Sequence, residues 1–312
     1  MDFPSPAAIT PARFVTDPTM TGIPKALCSL LATAVLAAVT SAEESGAASP
    51  AVDKTSFHLF NPTPSEHLRE MDTDGPGTTE SPYTVDAGHF QVELTLVSYT
   101  SDRESFDGET HRLDAWAIAP ITLKVGLFNR LDAQLVLEPH IRVDERVGTN
   151  RTTMRGFGDT SVRLKFNLWG NDGGRTALAA MPYVKFPTSD EGIGNDRIEG
   201  GLILPVSVEL PRDFWMGLTT RFDAVRDDDD DGYHAEFINS IAFGRSLVGN
   251  LFGYVEFYSA VSAERDADWV GTFDTGLIYR LTDNLQLNTG VNIGVTRSAD
   301  DWSPFAGVAW RF

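Results

Sequence analysis

Along Leu131–Val143 the chain alternates. Leu131, Ala133, Leu135, Leu137, Pro139, Ile141 and Val143 take one face of an extended strand, and Asp132, Gln134, Glu138, His140 and Arg142 take the other, with only Val136 out of pattern. A period of two marks a strand with one apolar and one polar face. Length adds to the argument. The alternation runs for about thirteen residues, whereas soluble strands average about 5–6 and a tilted strand crossing a bilayer needs about 9–11. The same pattern recurs at Phe90–Val97, Leu113–Val125, Thr160–Leu168, Leu178–Phe186, Leu202–Leu210, Phe214–Val225, Glu236–Phe243, Leu251–Val261, Trp269–Tyr279, Leu285–Val295 and Ser303–Phe312. That makes about twelve strands, an even number within the range of membrane barrels.

The connections alternate in kind. Phe128–Arg130, Gly170–Gly174, Pro211–Asp213, Arg245–Asn250 and Thr282–Asn284 read as short turns. Between them lie longer charged loops around Ser101–Thr110, Asp144–Phe157, Thr188–Arg197, Asp227–Asp231, Ala263–Asp268 and Arg297–Asp301. A soluble β-sandwich would bury the apolar faces in a core and has no reason to segregate its loops by length. A transmembrane barrel turns the apolar faces to lipid, keeps its periplasmic turns short and lengthens its external loops. The predicted fold is therefore all-β: a transmembrane antiparallel up-and-down β-barrel. The last strand supports this. Val308, Trp310 and Phe312 share one face and the chain stops on the aromatic residue, as in the signal by which barrels are recognised for insertion into the bacterial outer membrane.

Composition narrows the class. The net charge is -19, from 25 basic and 44 acidic residues, which disfavours a nucleic-acid partner. Met20–Ala42 reads as a secretory signal: Lys25, the apolar run Ala26–Val39, then the small residues Thr40, Ser41 and Ala42 before cleavage. Residues 1–42 are thus an N-terminal extension and signal peptide starting at Met20, residues 43–80 a flexible periplasmic lead-in rich in Ser, Pro, Thr and Gly, and residues 81–312 the barrel. The single cysteine, Cys28, lies within the signal, so thiol chemistry and disulfides are not expected.

By strand parity the lumen receives Glu138, His140, Arg142, Arg163, Lys165, Lys185, Glu199, Arg221, Asp223 and Glu256. Such a wall fits a narrow water-filled path, or side chains that pair across the lumen and plug it. No catalytic set, cofactor or metal is expected. Asp227–Asp231 followed by Gly232 resembles the start of a calcium loop, but the twelfth position is Ile238 and not an acid. The run reads as a solvated acidic loop, with a loose divalent contact to lipopolysaccharide as a further option. A lipid-hydrolase barrel is the rival class. No Gly-x-Ser-x-Gly elbow occurs, although His140 and Ser161 could meet in space. Tyr83, Tyr99, Trp116, Trp169, Trp215, Trp269, Trp302 and Trp310 fall near predicted strand ends, as interfacial girdles do. Trp116 and Trp215 could instead face the lumen and stack on an aromatic solute.

Ser81-Pro82-Tyr83-Thr84-Val85-Asp86-Ala87-Gly88-His89-Phe90-Gln91-Val92-Glu93, with the acidic, proline-containing Thr73–Glu80 before it, resembles a bacterial family of outer-membrane channels linked to the meta-pathway of phenol degradation. Shorter matches are Gly156-Phe157-Gly158-Asp159, Lys185-Phe186-Pro187-Thr188 and Tyr279–Leu285, and the resemblance spans about residues 73–312. It departs at Ser189, where the family has glycine. The resemblance implies a porin-like transporter of the Gram-negative outer membrane that passes small organic solutes, aromatic ones among the candidates. Its partners would be outer-membrane lipid and lipopolysaccharide, the barrel-assembly machinery and a small-molecule solute.

Overall fold

The computed structural model describes residues 52–312 except 107–108, 195–196, 228–231 and 265–266. The segment read as a signal peptide and most of the acidic run Asp227–Asp231 lie outside the described residues.

Fifteen strands form one antiparallel sheet: β1 Phe90–Phe106, β2 Glu109–Ile118, β3 Ile121–Phe128, β4 Leu131–Leu137, β5 His140–Val147, β6 Asn150–Gly156, β7 Thr160–Trp169, β8 Thr176–Phe186, β9 Glu199–Leu210, β10 Phe214–Arg226, β11 Tyr233–Val248, β12 Leu251–Ser262, β13 Val270–Thr282, β14 Leu285–Gly294 and β15 Trp302–Arg311. The circuit β1–β3–β4–β7–β8 and on in sequence to β15 closes where β15 pairs with β1, giving a barrel of twelve strands. Gln91 stands opposite Arg311 and Leu94 opposite Val308 across this seam. Closure leaves no free edge in the barrel wall.

Three of the spanning strands are broken. Ala119, with φ of 61°, and Pro120 divide β2 from β3. Pro139, which has no N–H to give, divides β4 from β5, and residues 157–159 divide β6 from β7. Beyond the breaks, the upper part of β1 continues with β2, β5 and β6 as a four-stranded extension at the long-loop end. This corrects two expected loops: among the described residues Ser101–Thr110 and Asp144–Phe157 are mostly strand, with β1 reaching Phe106, β2 starting at Glu109, and a turn at residues 148–149 between β5 and β6. Charged residues there alternate with Val143, Val147 and Met154, a pattern too sparse in apolar residues to read as strand. One face of the extension buries Ala115, Ile141 and Val143 against Ile193 of the β8–β9 connection, with Leu113 and Met154 alongside.

The outward face of the wall is apolar. Leu123, Leu164, Phe166, Val184, Phe222, Phe237, Val255, Phe273 and Leu287 are all more than a third exposed, a continuous surface suited to lipid and not to water. Aromatic pairs mark its two borders. Tyr99 packs on Trp116 (4.5 Å) and Trp302 (5.5 Å) at the long-loop end, and Phe312 packs on Trp310 (5.0 Å) and Phe90 (5.8 Å) at the other. Inward positions are polar and buried: Gln91, Lys124, Asp132, Gln134, Lys165, Asp223, Glu256, Asp274 and Gln286.

Candidate functional site

What fills the barrel is the chain's own lead-in. Residues 43–80 are expected from sequence to be a flexible periplasmic lead-in; instead residues 72–82 enter the lumen from the short-turn end as a re-entrant loop. Its sequence is polar, and each polar group meets a complementary one on the wall. An unpaired buried donor or charge would be costly, so such a loop can enter a lumen only where the wall answers it.

At mid-lumen Asp74 lies between Lys124 of β3 and Lys165 of β7, with ion pairs to both, while Lys124 also pairs with Glu93. Gln134 Nε2 donates to Asp74 at 3.1 Å, and Glu93 accepts from the backbone N–H groups of Asp74 and Gly75 at 3.1 Å. At the apex the Glu256 carboxylate accepts from the N–H groups of Thr78 and Thr79, both at 2.8 Å, and from the Thr78 hydroxyl at 2.6 Å. Gly77 leaves room for this approach: a Cβ there would lie 2.7 Å from Glu256 Oε2, and the carboxylate would have to shift. Thr79 and Ser240 share a hydrogen bond of 2.7 Å. On the return, Arg163 donates to Glu80 at 3.0 Å, Asn167 to the Pro82 carbonyl at 3.0 Å, and the Val85 N–H to Asp132 at 3.0 Å.

The short turns clamp the foot of the loop. Asp172 pairs with Lys54 at 3.0 Å and Arg69 at 2.8 Å, and Arg311 Nη1 donates to the Arg69 carbonyl at 2.8 Å. Burial tends to raise the Asp172 carboxyl pKa, but the hydrogen bond from Asn129 and the charge of Arg69 outweigh it and hold it below the usual range.

Above the loop, toward the long-loop end, is a cavity of about 380 Å³. Gly77, Thr78 and Glu80 form part of its lining, with Thr219, Arg221, Tyr258, Asn292 and Asp300 among the wall residues. Arg221 is fixed by Asp223, donates to the Tyr183 hydroxyl at 2.6 Å and stacks on the Tyr183 ring at 4.8 Å. At the rim, burial and the neighbouring charges of Asp102 and Asp301 push the Asp300 carboxyl up to about 6.

Of the residues assigned to the lumen by parity, Arg163, Lys165, Lys185, Glu199, Arg221, Asp223 and Glu256 face it. They act in pairs: Arg163 with Glu80, Lys165 with Asp74, Lys185 with Glu199, and Arg221 with Asp223. Glu138 sits in the gap between β4 and β5, near Lys185, Asp159 and Arg163. His140 and Arg142 do not face the lumen. The break at Pro139 shifts parity, so that they stand opposite Ile118 and Trp116, which are 47% and 41% exposed on the outer surface. Ser161 lies in register with Lys185 on the lumen side, so the His140–Ser161 pair is not assembled.

One aromatic assignment also changes: Tyr83 belongs to the lead-in, with its carbonyl against Lys165. Of the two tryptophans with a lumen alternative, Trp215 is inside the barrel, its ring lying over Gly244 where a Cβ would collide with it. Trp116 is outside, in the aromatic border. Lys124 and Asp274 went unnoticed, as did the loop itself, and Asp132 was read on a polar strand face without being assigned to the lumen. The signals available were one lysine inside the apolar run Ile121–Val125 and the glycines flanking Pro76. Val308, Trp310 and Phe312 point outward, and Phe312 exchanges both backbone hydrogen bonds with Phe90 (3.0 and 2.9 Å).

Among curated proteins none matches the chain. Similar solved structures are barrels of low sequence identity. The transport unit of the autotransporter AIDA-I from Escherichia coli has a TM-score of 0.48 and 14% identity, covering 77% of this chain and 92% of that one. The NanC porin has 0.43 and 12%, covering 69% and 98%. The toluene transporter TbuX from Ralstonia pickettii has 0.38 and 7%, covering 72% and 88%. In sequence, the agreement with a known family begins at Thr73, at the foot of the lumen loop, and runs to the last strand: residues 73–312 match the family described as "Putative MetA-pathway of phenol degradation", and the chain belongs to it.

Proposed function

We propose that the chain is an outer-membrane channel for the diffusion of small solutes into the periplasm, with the lumen loop as its adjustable barrier. The short-turn end then faces the periplasm and the four-stranded extension faces outward. The observation that carries this reading is the way the lumen is filled. Ion pairs and hydrogen bonds hold the loop, and above it lies a cavity of about 380 Å³ whose lining mixes polar side chains such as Thr219, Arg221 and Asn292 with Ile203 and Ile238. Polar contacts can be exchanged for water at modest net cost, so a loop held this way can shift where an apolar plug could not. Tyr258, Arg221, Ile203 and Ile238 offer a ring, a cation and apolar surface, a lining that suits small organic solutes, including aromatic ones. Val308, Trp310 and Phe312 are the groups we assign to recognition by the barrel-assembly machinery, and the apolar outer wall to contact with membrane lipid.

Liposome swelling tests this. Vesicles holding the refolded chain, with folding verified by heat-modifiable gel mobility, are expected to swell in small solutes and progressively less in larger ones. Folded protein that gives no solute-dependent swelling contradicts the reading and favours a sealed structural barrel.

A further inference from the structure

We propose that the external rim carries a binding site for a zinc-class divalent metal ion, built by Asp227, His234 and Glu264. The three residues come from neighbouring strands: Asp227 follows β10, His234 opens β11 and Glu264 follows β12. Register brings them together. Val225 stands opposite His234, Glu236 stands opposite Ser262, and the Ala263 N–H continues the ladder to the Ala235 carbonyl at 2.8 Å. One ligand atom from each residue then lies within 4.8 Å of the others.

The histidine makes this more than an acidic patch. Its side chain is only 9% exposed, and carboxylates flank both ring nitrogens. Nδ1 is 2.7 Å from Asp227 Oδ1, and Nε2 is 3.7 Å from Glu236 Oε1. In metal-bound histidines one nitrogen meets the ion and the other is oriented by a carboxylate; here Nδ1 would exchange its contact with Asp227 for an ion shared with it, and Nε2 would need Glu236 to close in from 3.7 Å. Donors around a tetrahedral zinc ion at about 2.1 Å lie roughly 3.4 Å apart, so the three groups need only small side-chain adjustments to converge. The donor set selects the metal. An imidazole with two carboxylates suits zinc and its transition-metal neighbours, whereas calcium and magnesium prefer oxygen alone. Two carboxylates and a neutral imidazole balance the ion's charge, and the strongly acidic chain concentrates cations near its surface. A bound ion would tie the β10–β11 connection to the β12–β13 connection at the mouth of the barrel.

The test is calorimetric titration of the refolded full chain in detergent with zinc chloride, with calcium chloride as competitor. One saturable site per chain is expected, unaffected by an equal concentration of calcium. Affinity should fall at least about tenfold in His234→Ala, the lower bound set by what even outer-shell partners contribute. Asp227→Asn and Glu264→Gln should each weaken it as well, and these serve if His234→Ala does not fold. A cobalt-loaded chain should show an intense visible absorption band that His234→Ala lacks. Zinc titrations that superimpose for wild type and variants, displacement by equimolar calcium, or the absence of saturable binding would each overturn the proposal.

Discussion

Asp74→Asn keeps the shape of the side chain and removes its charge, leaving the two lysines that converge on it short of a counter-ion. Asp74, Lys124 and Lys165 are all nearly inaccessible to solvent. Removing one partner of a buried pair costs about 3–5 kcal/mol. Lys124 retains Glu93, whereas Lys165 retains the Tyr83 carbonyl at 3.4 Å, so the lower end, about 3 kcal/mol, is the appropriate figure. At about 1.4 kcal/mol per factor of ten, the balance between seated and released loop should move roughly a hundredfold toward release. The wall pairs strand to strand around the full circuit and does not need the loop to close. In planar bilayers the variant should therefore open more often than wild type, and residues 72–82 should become sensitive to added protease. Asp144→Asn is the control: its partners Arg142 and Arg151 are about half exposed, and such pairs contribute about 0–1 kcal/mol. If Asp74→Asn matches wild type in both assays, or loses the mobility of the folded barrel altogether, the assignment of these ion pairs to loop seating is wrong.

Two further outcomes follow from the cavity and its rim. The Asp300 carboxyl stands at about 6 in the folded chain, above its unfolded value of about 3.9. Between these values the folded state holds a proton that the unfolded state has lost, so this group's contribution to stability increases as pH falls through 6 and is unfavourable above it. Asp300→Asn should therefore raise Tm at pH 7 and have little effect near pH 4; a pH-independent difference would refute the assignment. Arg221→Ala removes the cation beside Asp223 from the cavity wall, so the reversal potential in a salt gradient should shift toward cation preference. An unchanged potential would place Arg221 outside the ion path.

The twelve-strand circuit was legible in the sequence because a spanning strand must alternate along its whole length, as Leu131–Leu137 and Thr160–Leu168 do. The segregation of short turns such as Pro211–Asp213 from long connections distinguished the two ends of the barrel. What parity could not follow was interruption. Pro139 and the Ala119–Pro120 break each reset the count, which sent His140 and Arg142 to the wrong side and hid the extension in segments read as loops. The lumen loop was hidden for a different reason. Thr73–Glu80 has the Gly, Pro and Thr content of a flexible linker, and nothing local distinguishes a linker in water from one whose polar groups are met by Glu256, Lys165 and Arg163 from strands far along the chain. Its partners were visible individually as charged residues on the inward face, but pairing is a property of the closed barrel. Lys124 was the strongest overlooked signal, since a lysine within Ile121–Val125 needs a buried carboxylate.

The central claim is that passage through the barrel depends on the loop leaving its seat. Thr79 and Ser240 allow it to be tested within one molecule, because their hydroxyl oxygens are 2.7 Å apart across the boundary between loop and wall. The sequence has one cysteine, Cys28, outside the described residues, so in a chain begun at residue 43 Thr79→Cys with Ser240→Cys places the two thiols present at that contact. Single-channel conductance of this variant, recorded oxidised and then after reduction, is the direct measurement. The account predicts channels that stay closed while the disulfide is intact and open on reduction. Equal conductance in the two states would mean that solutes pass without moving the loop, and the account would fail.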